Sequence, residues 1–411
     1  MKVIHLYLFV LILLVSSPVI SQEKDSTLQS KSIEQIQTPN YLIEAGISLN
    51  YGSTNLNNEF IQKLLFGGKI DDNLKDLTLD RTNKRNRFGL EINYEMKFVD
   101  LKDTLFQKLP GWNYYIGFGS YNNVSASYTR DFFSLAFYGN KQFENETAQL
   151  GKSDFTSYKF EKITFGLMSR DFSTSIGVSL IIGDRLNKYD FKQLDMFTHP
   201  EGTDITMEYD GKIKLSNDRN NSSFMAFNGT GLGIDFSTLL YNRKYTLSVT
   251  NLGFVVWARN TSYSNTQTTY NFDGIEIDNI FRTTSEELRT KALDILPELE
   301  NKTFATLLPT IFRVDKNFDK EKQLQSIYGI RYKLVSNYLP SVYAGGSYQM
   351  SPKLRFSGSL AWGGYAGLRA NLGAYFNHKN FFGGIETTNA VGLISRKGNG
   401  NGANLFFMTY F

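Results

Sequence analysis

The sequence predicts an all-β fold: a transmembrane antiparallel β-barrel of about 14 strands, with 16 as the alternative, preceded by an N-terminal plug or hatch segment. Three observations lead there. From Arg87 to Asp100, Phe88, Leu90, Ile92, Tyr94, Met96 and Phe98 alternate with Gly89, Glu91, Asn93, Glu95 and Lys97, which marks one long strand, apolar on one face and polar on the other. The same period-two pattern returns along the chain, whose last residue is the aromatic Phe411. Aromatics make up 15% of the 411 residues, with 33 Phe and 24 Tyr against 8 Pro, a composition that favours strands and leaves rings for interfacial girdles.

At the N-terminus, Lys2, the apolar run Val3 to Val15 and the small-residue stretch Ser16 to Ser21 have the three regions of a secretory signal peptide, residues 1–21, with cleavage after Ser21. The run is short of the ~20 apolar residues of a spanning helix. No later stretch reaches that length and the mean hydropathy is −0.30, which excludes a helical membrane protein. Residues 22–40 are rich in Gln, Ser, Lys and Glu and read as a flexible periplasmic start. Tyr41 to Tyr51 allows a strand, and Phe60, Leu64, Leu65, Ile70, Leu74 and Leu77 fall at near-helical spacing. Together, residues 22–85 are expected to form the plug, and residues 86–411 the barrel, placed in the outer membrane of a Gram-negative bacterium.

Strands are expected at 86–99, 113–121, 125–138, 158–170, 174–183, 229–241, 243–257, 304–315, 323–334, 341–350, 352–362, 365–376, 379–392 and 403–411. Periplasmic turns of such barrels are short and extracellular loops long. Counting back from Phe411, the inner turns fall at Asn122 to Val124, Arg170 to Ser173, Tyr241 to Lys244, Asp315 to Lys322, Met350 to Lys353 and Asn377 to Asn380. The long connections, 139–157, 184–228 and 258–303, all fall on the opposite side. The 184–228 insertion is expected to hold a hairpin around Gly211. The loop 258–303 carries the capping pattern Thr284-Ser285-Glu286-Glu287 ahead of Leu288, Ala292, Leu293, Ile295 and Leu296, which predicts a helix.

The chain has no Cys, which rules out disulfides, Cys-ligated zinc and a lipidated N-terminal Cys. Lys and Arg number 44 against 40 Asp and Glu, a net charge of +4, or +3 once Lys2 leaves with the signal, too weak to imply nucleic acid. No nucleophile elbow, phosphate loop or His-Glu-x-x-His occurs, and the mature chain has only His199 and His378, so no enzyme, metal or cofactor is expected. If Leu354, Phe356, Leu360, Leu368 and Leu372 face lipid, then Arg331, Lys333, Lys353, Arg355 and Arg369, with Gln323 and Gln325, face the lumen, because a charge on the lipid face near the midplane costs about 2–4 kcal/mol. Two readings stay open. The cations, with Glu91 and Glu95, contact an anionic ligand group, or they pair with acids drawn from Asp71, Asp72, Asp76, Glu91 and Glu95, and charge networks within barrels favour the pairing. Trp112, Trp257 and Trp362 are expected in an outer girdle.

At Gly231-Leu232-Gly233-Ile234-Asp235-Phe236, Asn251-Leu252-Gly253-Phe254 and Trp257, the chain resembles an uncharacterised family of Bacteroidota outer-membrane barrels related to FadL-type proteins. Phe272-Asp273-Gly274, Leu308-Pro309, Leu339-Pro340 and Thr387-Thr388-Asn389 support it. The resemblance implies a 14-stranded barrel with an N-terminal segment inside. It also implies either FadL-like passage of hydrophobic molecules or a PorV-like role in secretion and surface attachment. The partners would be outer-membrane lipid with a hydrophobic solute, or secreted proteins and their machinery. No substrate motif is matched in residues 22–85.

Overall fold

The computed structural model describes residues 39–103, 109–200, 204–216, 225–272, 298–319 and 322–411. The strands are β1 (Tyr41–Ser53), β2 (Asn86–Asp100), β3 (Trp112–Tyr128), β4 (Thr147–Gln149), β5 (Ser153–Ser169), β6 (Thr174–Thr198), β7 (Ile205–Ser216), β8 (Gly229–Leu240), β9 (Tyr245–Trp257), β10 (Thr261–Phe272), β11 (Phe304–Leu307), β12 (Ile311–Lys316), β13 (Leu324–Lys333), β14 (Leu339–Ser351), β15 (Leu354–Gly364), β16 (Arg369–His378), β17 (Phe381–Thr387) and β18 (Gly400–Tyr410). They form a closed antiparallel barrel of 14 strands. β11 and β12 share one wall position against β9. β4, β7 and β10 lie outside the wall, because they pair with or through the distal half of β6.

Closure falls on β1, which pairs with β18 on one side and β2 on the other. This corrects the expected domain boundary. Residues 41–53 are wall, not plug, and the barrel begins at Tyr41 rather than at residue 86. The count of 14 still holds because a second difference offsets the first. The expected strands 113–121 and 125–138 are one strand, β3, followed by helix, so Asn122 to Val124 is no turn. The expected signal peptide, the segment 22–38 and the loop helix after Thr284 lie outside the described residues.

Tyr41, Phe411 and the connections 170–173, 241–244, 352–353 and 379–380 share one end of the barrel, the turn end, as the parity of the sequence pattern required. The opposite, loop end carries residues 54–85 and 129–152 and the extension formed by the distal half of β6 with β7 and β10. Three helices cap it: α1 (Asn58–Phe66), α2 (Asp72–Asp80) and α3 (Arg130–Tyr138). Each starts on a side-chain cap: Asn57, Asp71 and Thr129 accept the N–H of Phe60, Leu74 and Phe132 at 2.8, 2.9 and 3.1 Å, satisfying donors the first turn would leave bare. Phe133 and Phe137, four residues apart on α3, meet Phe60 of α1 at ring-centroid distances of 5.7 and 5.0 Å. This helical spacing, set among aromatics that also suit strands, is why residues 129–138 read as strand.

The α1–α3 core packs on Tyr51, Phe88 and Tyr128. The helices therefore lean on the flank of β1–β3 at the loop end and do not plug the lumen. A fourth short helix, α4 (Ala390–Ile394), stands where the expected strand 379–392 would have continued past β17. Asn58 ties it to α1, donating to the carbonyls of Gly392 and Ser395 at 2.7 and 3.1 Å.

Alternation decides what faces out. On β6, Ile176, Val178 and Leu180 are 43, 56 and 49% exposed while the alternating Gly177, Ser179 and Ile181 are buried, and the same outward apolar rows run on β8, β9, β13 and β15. Leu360 and Leu372 lie outward as expected. Beyond Gly183, β6 continues to Thr198 and pairs with β7 as a hairpin extension, Thr198 standing opposite Ile205. Gly211 sits inside β7, not at the turn. Of the three tryptophans, Trp362 is exposed, Trp112 begins β3 at the turn end, and Trp257 is fully buried, so the outer girdle keeps one of the three.

Candidate functional site

Inward-facing residues stack in layers from the turn end to the loop end. Nearest the turn end, Leu42, Val99, Tyr115 and Met168 form an apolar floor. At the loop end, Tyr121, Tyr158, Phe160, Ile181, Leu186, Val255, Trp257, Phe304 and Leu308 fill one side of the lumen. Tyr121 stacks on Phe160 at 4.7 Å, and the Trp257 indole donates to Thr306 Oγ1 at 2.8 Å. That bond satisfies the polar end of a buried Trp.

The other side of the loop-end layer is ionic. Glu91 of β2 accepts from Arg331 Nη2 at 3.0 Å and from Lys333 Nζ at 3.1 Å across the lumen, and Lys333 also donates to Asn123. Arg369 donates to Ser341 Oγ at 2.6 Å and lines one small recess with Glu91 and Arg331. Tyr365, on the short connection after β15, reaches into this layer over Gly89, where a Cβ would come 2.1 Å from its ring. Glycine at residue 89 is thus a packing requirement.

Between floor and ceiling lies a cavity of about 430 Å³. Its wall carries Glu44, Glu95, Lys97, Lys162 and Asp235 among the rings of Tyr115, Tyr121, Phe382 and Phe406. Two ion pairs lie along it, Lys97 to Glu44 on adjacent strands and Lys162 to Asp235 on the strands flanking β6, both at 2.7 Å. Lys162 also donates to Asn251 Oδ1 at 2.8 Å, and Tyr121 donates to Glu95 at 2.7 Å. Asn251, with φ +60°, is a kink in β9, and Asp235 Oδ1 accepts its N–H at 2.8 Å. Charge inside a water-poor lumen is held because each ion finds a partner.

The seven sequence-selected residues therefore separate. Glu91, Arg331, Lys333 and Arg369 come together in the loop-end layer, and Glu95 lies apart in the cavity wall. Arg355 is nearer the turn end, donating to Ser347 Oγ at 3.2 Å, to the carbonyls of Asp319 and Lys322 at 3.0 and 3.3 Å, and to Gln349, with its guanidinium 5.1 Å from the Phe318 ring centroid. It ties Asp319 and Lys322 to β15. Lys353 is exposed in the turn after β14 and is no part of the lumen layer. Asp71, Asp72 and Asp76, offered as lumen acids, belong to the loop-end helices and meet Lys63, Lys75 and the Tyr138 hydroxyl there.

Sequence reasoning missed Glu44, Lys97, Lys162 and Asp235. Lys97 was legible, two residues beyond Glu95 on the polar face of β2. Glu44 was hidden because β1 was assigned to the plug, and Lys162 and Asp235 stand on β5 and β8, which are brought together only by their shared pairing with β6.

Several solved barrels are similar to this chain. The P. putida toluene transporter TodX shares 10% identity over 90% of both chains, with a TM-score of 0.37. A Pseudomonas aeruginosa FadL homologue shares 9% over 90% of both, at 0.35. The translocator domain of the autotransporter NalP from Neisseria meningitidis shares 6% over 92% of this chain and 90% of that one, at 0.30. At these TM-scores the likeness carries no argument, and the architecture rests on the strand pairing described above. No curated protein matches the sequence. A family model described as "Family of unknown function (DUF5723)" matches residues 39–385, from just before the first wall strand into β17, and the chain belongs to that family.

Proposed function

We propose that the protein is an outer-membrane barrel of a Gram-negative bacterium that passes a small, largely apolar solute. The observation that carries the reading is the cavity of about 430 Å³ inside the wall, ringed by Tyr115, Tyr121, Phe382 and Phe406. Its volume falls in the range of small-molecule pockets, roughly 300–1,000 Å³. The apolar outward rows and the sorting of short turns to one end support membrane placement with the turn end periplasmic. Charges on the cavity wall are paired within the wall, so an apolar body can contact rings without stripping a lone ion of water. The FadL-type neighbours agree with this reading and do not carry it.

Native mass spectrometry of the barrel, taken from its own membrane in mild detergent, tests the proposal. One apolar molecule retained per barrel, displaced by added 1-decanol, is the expected result. If no apolar compound binds and none crosses vesicles containing the protein, transport is abandoned. A retained protein partner in its place would establish the secretion-docking alternative, which no described residue specifically favours.

A further inference from the structure

The hairpin that rises from the wall beyond Gly183 carries a concentration of positive charge at its base. Lys188 of β6 stands directly opposite Lys214 of β7, which stands opposite Tyr263 of β10, and in the next row Asp190 faces Lys212. The row looks over the lumen, not toward lipid. Lys214 Nζ lies 5.3 Å from the centroid of Phe304, a member of the lumen cluster, and donates to the Ala305 carbonyl at 3.4 Å. Lys302 Nζ lies 4.8 Å over the ring of Tyr263. Like charges directly across a strand pair are destabilising. Burial, Lys188 and Lys212 lower the basicity of Lys214. Among the described residues none of these four lysines forms an ion pair. Asp190, opposite Lys212, and Glu300, whose backbone bridges to Tyr263, do not pair with them. The fold thus sets Lys188, Lys212 and Lys214 close enough to act on one another, with Lys302 over the adjacent Tyr263, and among the described residues no carboxylate meets any of the four.

We propose that the Lys188–Lys212–Lys214–Lys302 cluster is an oxyanion site at the loop-end mouth of the lumen, which takes the phosphate group of an incoming solute. Lysines act as point charges on phosphate, whereas planar carboxylate recognition favours the fork of arginine, and the cluster holds no arginine. Because the row faces the lumen, the phosphate is that of a solute and not of a bilayer headgroup. The corollary, that the transported molecule is an apolar body bearing a phosphate, rests on the transport reading; the site itself does not.

The test uses the full-length barrel in neutral detergent at low salt, with inorganic pyrophosphate, decyl phosphate and decanol as probes in calorimetric titrations. Pyrophosphate is expected to bind the wild type and to weaken by about tenfold or more, at least ~1.4 kcal/mol, in the Lys188→Gln/Lys214→Gln variant. Binding should also fall as salt rises. Lys192→Gln, which removes one charge from the same hairpin outside the cluster, should bind as wild type. Retained heat-modifiable gel mobility shows that each variant is folded. Equal pyrophosphate binding by wild type and the double variant overturns the site. Pyrophosphate binding with no binding of decanol, and no gain from the decyl chain, leaves the site standing and removes the transport reading; decanol binding without pyrophosphate binding does the reverse.

Discussion

Glu91 holds two cations at once, and its side chain is only 6% exposed. Replacing it with Gln keeps the shape and removes the charge, leaving Arg331 and Lys333 without their carboxylate. Breaking a buried pair on one side costs about 3–5 kcal/mol, so Glu91→Gln is expected to lower the temperature at which the barrel loses its SDS-resistant gel mobility. Lys353→Ala should shift it by less than about 0.5 kcal/mol, as at other exposed positions. Equal shifts for the two would show that the loop-end ion layer does not stabilise the barrel. A second residue sets a pH dependence. In the turn after β5, hydroxyls of Ser169 and Ser173, the Ser173 N–H and Arg243 hold the Asp171 carboxyl at about 2. Its folded value is depressed, so its contribution is present above the ordinary carboxylate range and is lost as pH falls toward 2. Wild type is therefore expected to lose thermal resistance between pH 4 and pH 2 more steeply than Asp171→Asn, and parallel profiles would count against it.

Among the elements, β1 closes the wall with two unbroken ladders. An edge strand removed from a barrel exposes two rows of backbone donors and acceptors to hydrocarbon. Truncation of the mature chain to begin at residue 54 is expected to abolish the heat-modifiable form, while truncation to begin at residue 39 should retain it. Survival of the shorter chain as a closed barrel would return residues 41–53 to the plug. The outward row of β6 gives the complementary test. Val178→Arg places a cation on the lipid face and is expected to cost about 2–4 kcal/mol if it lies near the midplane, read as loss of membrane-assembled protein. A polar replacement at an exposed position on the outlying half of the same strand, such as Lys192→Gln, should leave assembly unchanged.

At the scale of the whole molecule the wall is uneven. β3, β5 and β6 run for 17, 17 and 25 residues, whereas β13, β16 and β17 run for 10, 10 and 7. The tall side carries the helical cap and the lysine-bearing hairpin, and the interior narrows from the cavity to the ion layer. Surface proteolysis of intact cells is expected to cut within the hairpin of β6 and β7 and to spare the connections 170–173, 241–244 and 352–353. Cleavage in those turns from outside would invert the orientation.

Strand identity, the side of the barrel on which most connections lie, and the absence of cysteine chemistry were legible in the sequence, because a side-chain period of two and a turn's length are local properties. The alternation of β2 even oriented Glu91, Glu95 and Lys97 correctly. What the chain alone did not decide was which segments meet. Tyr41–Ser53 has no stronger strand signature than residues 125–138, and only its simultaneous ladders to β18 and β2 make it wall while the latter turns into helix after Tyr128. Arg331 finds Glu91 from 240 residues away, and Lys162 finds Asp235 from 73. Ion pairing depends on distance in space, which closure of the barrel sets for Arg331 and Glu91 and the pairing of β5 and β8 with β6 sets for Lys162 and Asp235.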